Sequence, residues 1–273
     1  MALPPIDPIA AVGLAMAGLV LVPLFVYGVL ELRLANYVLR SPPASALDAG
    51  SGGLIELRGV ARPVRGTLRS PFTDTPAIAY QYEVQEEQSS TSGSSWVTID
   101  RGGEYLPFQL DDGSARVLIE PPGADFRLEE HERIDVDGGT TPPERIQRFI
   151  DDTDAVDCQH STLDLRVVEL RTGADRRFRE FVLEPGEAVH VIGTARYETT
   201  VPRTAGSVNA AVGIDPRTLT GRPLSRVRHR LVGSPFVISD STATRLGRRA
   251  ALVGGGAVGT AAVGMAVVVA VIL

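Results

Sequence analysis

The chain has 273 residues, a formal net charge of −6 and one cysteine, Cys158. The acidic balance argues against a nucleic-acid partner, and a single thiol excludes both a disulfide framework and a cysteine-rich zinc module. All 27 basic residues are arginine, and an acidic composition without lysine suggests a halophilic or GC-rich archaeal source. We expect no cofactor and no structural metal.

The first long apolar run, Pro8 to Leu30, carries no charged side chain. A helix of this length crosses about 30 Å of hydrocarbon. No basic residue precedes the run and no small-x-small cleavage site ends it, so we predict a retained transmembrane helix at residues 8–30 rather than a signal peptide. Residues 31–53, which include the Pro-, Gly-, Ser- and Ala-rich stretch from Ser41, are predicted to form a flexible juxtamembrane linker.

Residues 54–240 have the pattern of a soluble, mainly β domain. The β-rich runs are LIELRGVARPV, AIAYQYEVQEE, WVTIDRG, ARVLIEP, RRFREFVLEPG and EAVHVIGTARY. Gly and Pro end most of them, which favours an antiparallel sheet or open barrel over alternating βαβ units. A helix is predicted from Thr141 to Asp152, because a capping Thr and two prolines precede apolar residues at helical spacing. We therefore predict a mainly β, α+β fold between two transmembrane helices.

The second apolar run, Ala250 to Leu273, is also uncharged and long enough to span. We predict a transmembrane helix at residues 250–273, preceded by a short amphipathic juxtamembrane helix at residues 241–249. Arginines flank the inner end of both apolar runs, at Arg33, Arg40, Arg245, Arg248 and Arg249. By the positive-inside rule, the middle domain is expected to be cytoplasmic and both termini outside the cell membrane.

Small residues suggest how the two membrane helices pack. Gly255, Gly259 and Gly264 provide small positions on the second helix, and Gly13 and Ala17 provide them on the first. Such residues let helix backbones approach closely in lipid. We predict that the two helices pair within one chain; a homodimer through the same glycine face is the alternative.

No catalytic motif is present. The sequence lacks a phosphate-binding loop, a G-x-S-x-G elbow, an H-E-x-x-H pair and a dinucleotide fingerprint. Four histidines could in principle meet a serine in space; they are His131, His160, His190 and His229. Cys158 and His160 stand close together, but no second ligand pair has matching spacing, so we interpret Cys158 as a loop thiol. We predict no catalytic residue and no metal ligand.

Four separated segments carry a family resemblance. They are RGVARPVRGTLRSPFTDTPAIAYQYEVQEE, SSWVTIDRGGEYLPFQLDDGSARVLIEPPGADF, RRFREFVLEPGEAVHVIGTARY and SPFVISDST. Together with the helix-domain-helix layout, they resemble the GIDE or BAM ("beside a membrane") domain, the non-catalytic middle of mitochondrial-anchored RING ubiquitin ligases. The positions that match the family's motifs are Ser70, Pro71, Tyr80, Trp96, Pro107, Phe108, Pro185 and Gly186. These residue types are typical of turns and core aromatics.

The chain departs from those ligases because no RING is expected after the second apolar run, which ends at Leu273. A RING holds two zinc ions with eight ligands, and this chain offers one cysteine and four histidines. We therefore expect no ubiquitin transfer, and the leading hypothesis is a membrane-tethered, non-catalytic interaction or scaffold module. Its expected partners are membrane lipid and an unidentified protein. The alternatives are a membrane-bound hydrolase and a ligase-like scaffold that works with a separate catalytic subunit.

Overall fold

The computed structural model describes residues 8–40, 43–90, 93–155, 174–198, 206–214 and 233–272. These residues fall into two compact units. One contains the terminal helices, and the other contains the β-rich domain, which runs from Ala44 to Ile214 and includes Phe236–Asp240. The α-helices are α1 (Pro8–Arg40), α2 (Glu144–Ala155) and α3 (Ala243–Ile272).

The helices α1 and α3 are each long and apolar enough to cross a membrane, over Met16–Arg40 and Ala243–Ala270. They pack against each other in antiparallel fashion. A Cβ atom added to Gly28 would lie 2.9 Å from the carbonyl oxygen of Gly254, and one added to Gly264 would lie 2.7 Å from Leu21. The two backbones therefore approach most closely where glycine replaces a side chain.

The ends of both helices differ from the sequence expectation. Helix α1 continues through residues 31–40, which were expected to belong to the linker, and α3 already begins at Ala243. The predicted juxtamembrane helix and the second apolar helix are thus one continuous helix. Residues 31–40 read ELRLANYVLR and contain no Gly or Pro to end a helix, so α1 stops only before the prolines that follow Ser41.

The core of the domain is a closed barrel of five strands. They are β1 (Gly53–Pro63), β6 (Phe108–Asp111), β7 (Arg116–Ile119), β11 (Ala188–Tyr197) and β12 (Ser207–Val212). The order around the barrel is β1-β6-β7-β12-β11, and β1 pairs again with β11 to close it. The sequence predicted an open barrel, and this was wrong because the barrel is closed. Strand β1 pairs with β11, which lies far along the chain.

The strand directions are also mixed. Most neighbours are antiparallel, as predicted, but β7 and β12 run parallel. Two short strands extend the sheet beyond β11, namely β13 (Val237–Ser239) and β8 (Asp125–Phe126), and these two are also parallel. Alternate residues such as Ile55, Leu57 and Ala61 fill the barrel interior, with Phe108 from β6.

A short 3-10 helix (Ala46–Ser51) packs into the barrel core through Ala46 and Ala49, both fully buried. This segment was expected to be a flexible linker. Ser45 caps the 3-10 helix in a capping box with Asp48. The carboxylate of Asp112 accepts a hydrogen bond from the Ala46 N–H at 2.7 Å. Because Asp112 lies distant in sequence, the Ser- and Ala-rich composition alone did not reveal this anchoring.

A second sheet of four strands is part of the same unit, in the order β5-β4-β10-β9. The strands are β4 (Ala79–Ser90), β5 (Gly93–Tyr105), β9 (Glu130–Val136) and β10 (Arg176–Leu183). Helix α2 covers one face and encloses a small aromatic core of Phe72, Tyr82, Phe149 and Phe178. Phe72 makes edge-to-face contacts with the other three rings. Two further strands, β2 (Leu68–Arg69) and β3 (Pro76–Ala77), flank the loop that carries Phe72.

Candidate functional site

Ser70 and Pro71 begin a loop that closes over a buried carboxylate, that of Glu180 on β10. Glu180 is fully buried and accepts hydrogen bonds from the Ser70 hydroxyl at 3.1 Å, the Phe72 N–H at 2.7 Å and the Thr73 hydroxyl. The Ser70 oxygen also accepts from the Thr75 N–H at 2.9 Å. A carboxylate held by this many donors, with no exposure, secures the loop to the sheet and offers nothing to a substrate.

Tyr80 and Trp96 lie on the hairpin formed by β4 and β5. The Tyr80 hydroxyl donates to Glu104 at 3.2 Å, and burial, with the negative charge of Glu104, raises the pKa of Tyr80 to about 12. Trp96 lies under the guanidinium of Arg177, whose carbon is 4.1 Å from the ring centre. Trp96 is therefore a half-exposed residue on the open face of the sheet, not the core aromatic that was predicted.

The remaining positions that match the family's motifs lie in the barrel core, next to it, or in a turn. Phe108 is fully buried in the barrel core, and Pro107 before it is exposed. Pro185 and Gly186 form the turn from β10 to β11. Gly186 has a φ of +90° and its N–H donates to the carbonyl of Ala61 at 2.8 Å, so glycine suits this turn. These positions do not converge on one place.

Of the three glycines predicted to pack between the membrane helices, the structure places only Gly264 against the partner helix, beside Leu21. The space next to Gly255 and Gly259 is open. The tightest approach is instead between Gly28 and Gly254. Gly254 precedes Gly255 and Gly256 in an unbroken glycine run, so spacing alone could not identify which of the three faces the partner.

A polar cluster of Glu56, Arg58 and His190 lies on the outward side of the barrel wall, where β1 pairs with β11. Arg58 donates to Oε1 of Glu56 at 2.8 Å, and Nε2 of His190 lies 3.0 Å from the same oxygen. Both ring nitrogens of His190 and Oε2 of Glu56 nevertheless lack a hydrogen-bond partner among the described residues. Burial lowers the pKa of His190, against the attraction of Glu56, so the imidazole is neutral near pH 7.

A serine hydrolase built on this histidine would require the ring to activate a nearby hydroxyl nucleophile. Ser239 on β13 lies directly opposite His190, but its hydroxyl donates to the carbonyl of Arg127 at 2.8 Å. Ser239 is fully buried and His190 is 3% exposed, which leaves a substrate no access to the pair. His131 lies on β9, with Thr75 and Glu184 nearby. Cys158, His160 and His229 lie outside the described residues.

No group of three His, Cys, Asp or Glu residues in the described ranges could hold a metal ion. The open face of the four-stranded sheet is likewise occupied by paired charges. Arg177 donates to Asp135 at 2.7 Å, and Arg179 pairs with both Glu83 and Glu130. Because each arginine already has a carboxylate partner, this face is not a ready anion site.

The clearest unsatisfied surface is the edge strand β5. It has 13 residues, of which nine are exposed and none is buried, and within the described chain its only strand partner is β4. An edge strand presents a row of backbone N–H and C=O groups that another strand can pair with. The β4–β5 hairpin also extends beyond β10, since β4 pairs with β10 only as far as Glu86 but with β5 as far as Ser90. Residues 88–90 and 93–95 therefore form a two-stranded segment that extends past β10.

The two edges of this sheet differ in charge. The other edge strand, β9, has the sequence EHERIDV. Five of its seven residues are ionisable, and the other two are isoleucine and valine. Charged side chains are a common protection of sheet edges. The first seven residues of β5, Gly93 to Ile99, carry no charge, and a β-bulge at Ile99 ends this uncharged part. We call Ser94–Thr98 the docking edge. The uncharged run was visible in the sequence, but its edge position was not.

Comparison with protein-family models, with curated proteins and with solved structures finds no match to this chain.

Proposed function

We propose that this chain is a two-pass protein of the cell membrane whose β-rich domain is a non-catalytic interaction module on the cytoplasmic face. Two apolar helices flank that domain, and the arginines next to them favour a cytoplasmic location by the positive-inside rule. We propose, from the resemblance of its sequence segments, that this domain is GIDE/BAM-like. We propose no ubiquitin transfer for it.

The observation that carries the proposal is the docking edge. We propose that an extended segment of a protein partner adds to β5 as a fifth strand of the sheet. In this mode of recognition main-chain hydrogen bonds supply affinity, while side chains on alternate faces supply specificity. Val97 lies on the α2 side of the sheet and is 38% exposed, and Trp96 and Thr98 lie on the opposite side. A partner strand would thus meet an apolar contact on one face and Trp96 on the other.

Site-specific photocrosslinking tests where a partner binds. A photoreactive residue at Thr98 on β5 is compared with one at Arg133 on β9, because both positions are exposed on the same face at opposite edges. Crosslinking in native membranes is expected to yield a discrete partner band from Thr98 and little from Arg133. Equal yields from the two edges, or a band from Arg133 alone, would contradict docking at β5.

Proline scanning tests the backbone contribution. Adjacent residues of a strand direct their N–H groups to opposite sides, so of Val97→Pro and Thr98→Pro one removes an N–H bonded to β4 and the other an N–H at the open edge. The open-edge variant is expected to keep the thermal stability of the wild type and to lose partner capture. If the more stable of the two variants captures the partner as well as the wild type, strand addition is excluded.

Location is tested separately by protease protection. Protease added to intact cells should spare the middle domain and should cleave it after permeabilisation. Cleavage of that domain in intact cells, with a terminal tag surviving, would reverse the proposed topology. A chain recovered in the soluble fraction would reject the membrane location itself.

A further inference from the structure

Helix α3 presents two opposite faces in its first turns. Gly247 and Gly254 are buried, with Leu39 and Gly28 of α1 beside them. Arg245, Arg248 and Arg249 are exposed on the other side. The helix therefore directs three cations away from α1, at the end of an otherwise uncharged apolar segment.

An open groove of about 540 Å³ runs along this second face. Its lining includes the three arginines and then Leu252 and Val253. Leu252 is 78% exposed. We call these five residues the arginine groove. Its polarity changes along the helix axis, from guanidinium groups at one end to bare apolar side chains at the other.

Two of the three cations in the groove, Arg248 and Arg249, are not neutralised locally. Helix α3 has no acidic residue in its first turn, and neither Arg248 nor Arg249 pairs with a carboxylate within the described part of the chain. The positive end of the helix dipole makes arginines here less favourable than they would be at the other end of a helix. An external anion would relieve this repulsion.

The dimensions favour a lipid over a free anion. Arg249 and Leu252 are separated by about 4.5 Å along the axis, and Arg245 and Leu252 by about 10 Å. The headgroup region of one leaflet is roughly 5–7 Å deep. With Leu252 at the edge of the hydrocarbon, the three arginines lie at the depth of lipid phosphates, where guanidinium groups bind phosphate in two-pronged fashion.

We infer that the arginine groove binds the headgroup of an anionic phospholipid, with Leu252 and Val253 against the upper part of an acyl chain. The bound molecule is thus a lipid of net negative charge, held at the first turns of α3. This inference rests on the proposed membrane location but not on the partner bound at β5.

The test uses the full-length protein in detergent micelles, titrated with a short-chain phosphatidylglycerol and separately with a phosphatidylcholine of the same chain length, with bound lipid counted by native mass spectrometry. Each juxtamembrane arginine contributes about fivefold to binding of anionic lipid. The double variant Arg248→Gln/Arg249→Gln is therefore expected to weaken phosphatidylglycerol binding roughly 25-fold and to leave phosphatidylcholine binding unchanged. The matched control is Arg33→Gln/Arg40→Gln, which removes two exposed arginines from α1.

Two further arms identify the ligand. Leu252→Ser is expected to weaken binding of the lipid, while millimolar glycerol phosphate should not displace the lipid from the wild type. Displacement by glycerol phosphate would mean a site for a soluble phosphate. An equal loss in the α1 control would mean diffuse surface charge, and equal binding of both lipids by the wild type would mean no anion site; each of these overturns the inference. Circular dichroism of each variant shows that the helices are retained. Failure of the chain to partition into membranes at all would reject the membrane location, a result distinct from these.

Discussion

The carboxylate of Glu180 accepts a hydrogen bond from the backbone N–H of Phe72 at 2.7 Å, across more than 100 residues of sequence. This bond joins the loop after β2 to the centre of the four-stranded sheet. It also holds Phe72 where its ring contacts Tyr82, Phe149 and Phe178. The hydrogen bonds to Glu180 and the packing of the aromatic core therefore support each other.

Glu180→Gln is expected to destabilise the domain by about 1–3 kcal/mol, because the amide presents an N–H₂ group to at least one of the buried donors that the carboxylate satisfied. Urea unfolding of the full chain in detergent measures the change. The control is Glu83→Gln, which breaks a partly exposed pair with Arg179 and should cost less than about 1 kcal/mol. Equal stability of Glu180→Gln and the wild type would show that the anchor contributes little.

Asp112 is predicted to stabilise the attachment of the 3-10 helix in a pH-dependent way. Burial raises the pKa of Asp112, but hydrogen bonds from Ala46, Ser114 and Ala115 outweigh it and hold the pKa at about 2. The unfolded-state value is near 3.8, so the stabilisation is complete above about pH 5 and is lost as the pH falls towards 2.

Asp112→Asn should therefore reduce stability at pH 7 by about 1 kcal/mol, once solvent screening of this half-exposed group is allowed for. The difference between variant and wild type should shrink at pH 2–3. Thermal unfolding at a series of pH values measures it. A difference that stays constant down to pH 2 would show that the Asp112 charge is not the source of the stabilisation.

His190 gives a dependence on pH in the same direction as Asp112, but at higher pH. Its pKa in the folded protein is lowered by burial, so below about pH 6.5 the unfolded chain binds a proton that the folded chain does not. Stability of the wild type is therefore expected to fall as the pH drops below 6.5, until the folded-state pKa is reached. Glu56 and Arg58 are the charged groups beside the ring.

His190→Gln should flatten the stability profile below pH 6.5, because the variant has no ring at this position to bind the proton in the unfolded chain. Thermal melting of the wild type and the variant between pH 6.5 and 5 provides the comparison. A slope that survives in His190→Gln would assign the pH dependence to other groups.

Local patterns in the sequence predicted more of this structure than its long-range pairings. Strand runs such as Ala77–Glu87 and the helix near Thr141–Asp152 were predicted close to their observed positions, because alternation and capping are local signals. Closure of the barrel depends on β1 meeting β11, and Asp112 holds Ala46 from far along the chain. No local pattern encodes either contact.

The site shows the same division. Ser70 and Pro71 were recognised as turn residues, but the sequence did not show that Glu180 is the group they enclose. Trp96 was expected in the core and lies instead on the open sheet face beside Arg177. Both faces of a hairpin carry similar residues here, so alternation alone could not decide which face α2 covers.

The last prediction concerns pairing of the two terminal helices, α1 and α3. A Cβ at Gly28 would lie 2.8 Å from a Val258 methyl and 2.9 Å from the Gly254 carbonyl oxygen, whereas a Cβ at Gly259 meets no atom within 4 Å. Gly28→Leu should therefore separate the helices by overfilling their contact, at a cost of about 1–3 kcal/mol, and Gly259→Leu should be tolerated.

The measurement is disulfide crosslinking in liposomes between Leu21→Cys and Gly264→Cys, which face each other, in a Cys158→Ser background. High yield within one chain is expected, reduced several-fold by Gly28→Leu and unchanged by Gly259→Leu. Crosslinks only between chains would instead assign the glycine face to a homodimer, and sensitivity to Gly259→Leu rather than Gly28→Leu would require a different rotation of α3.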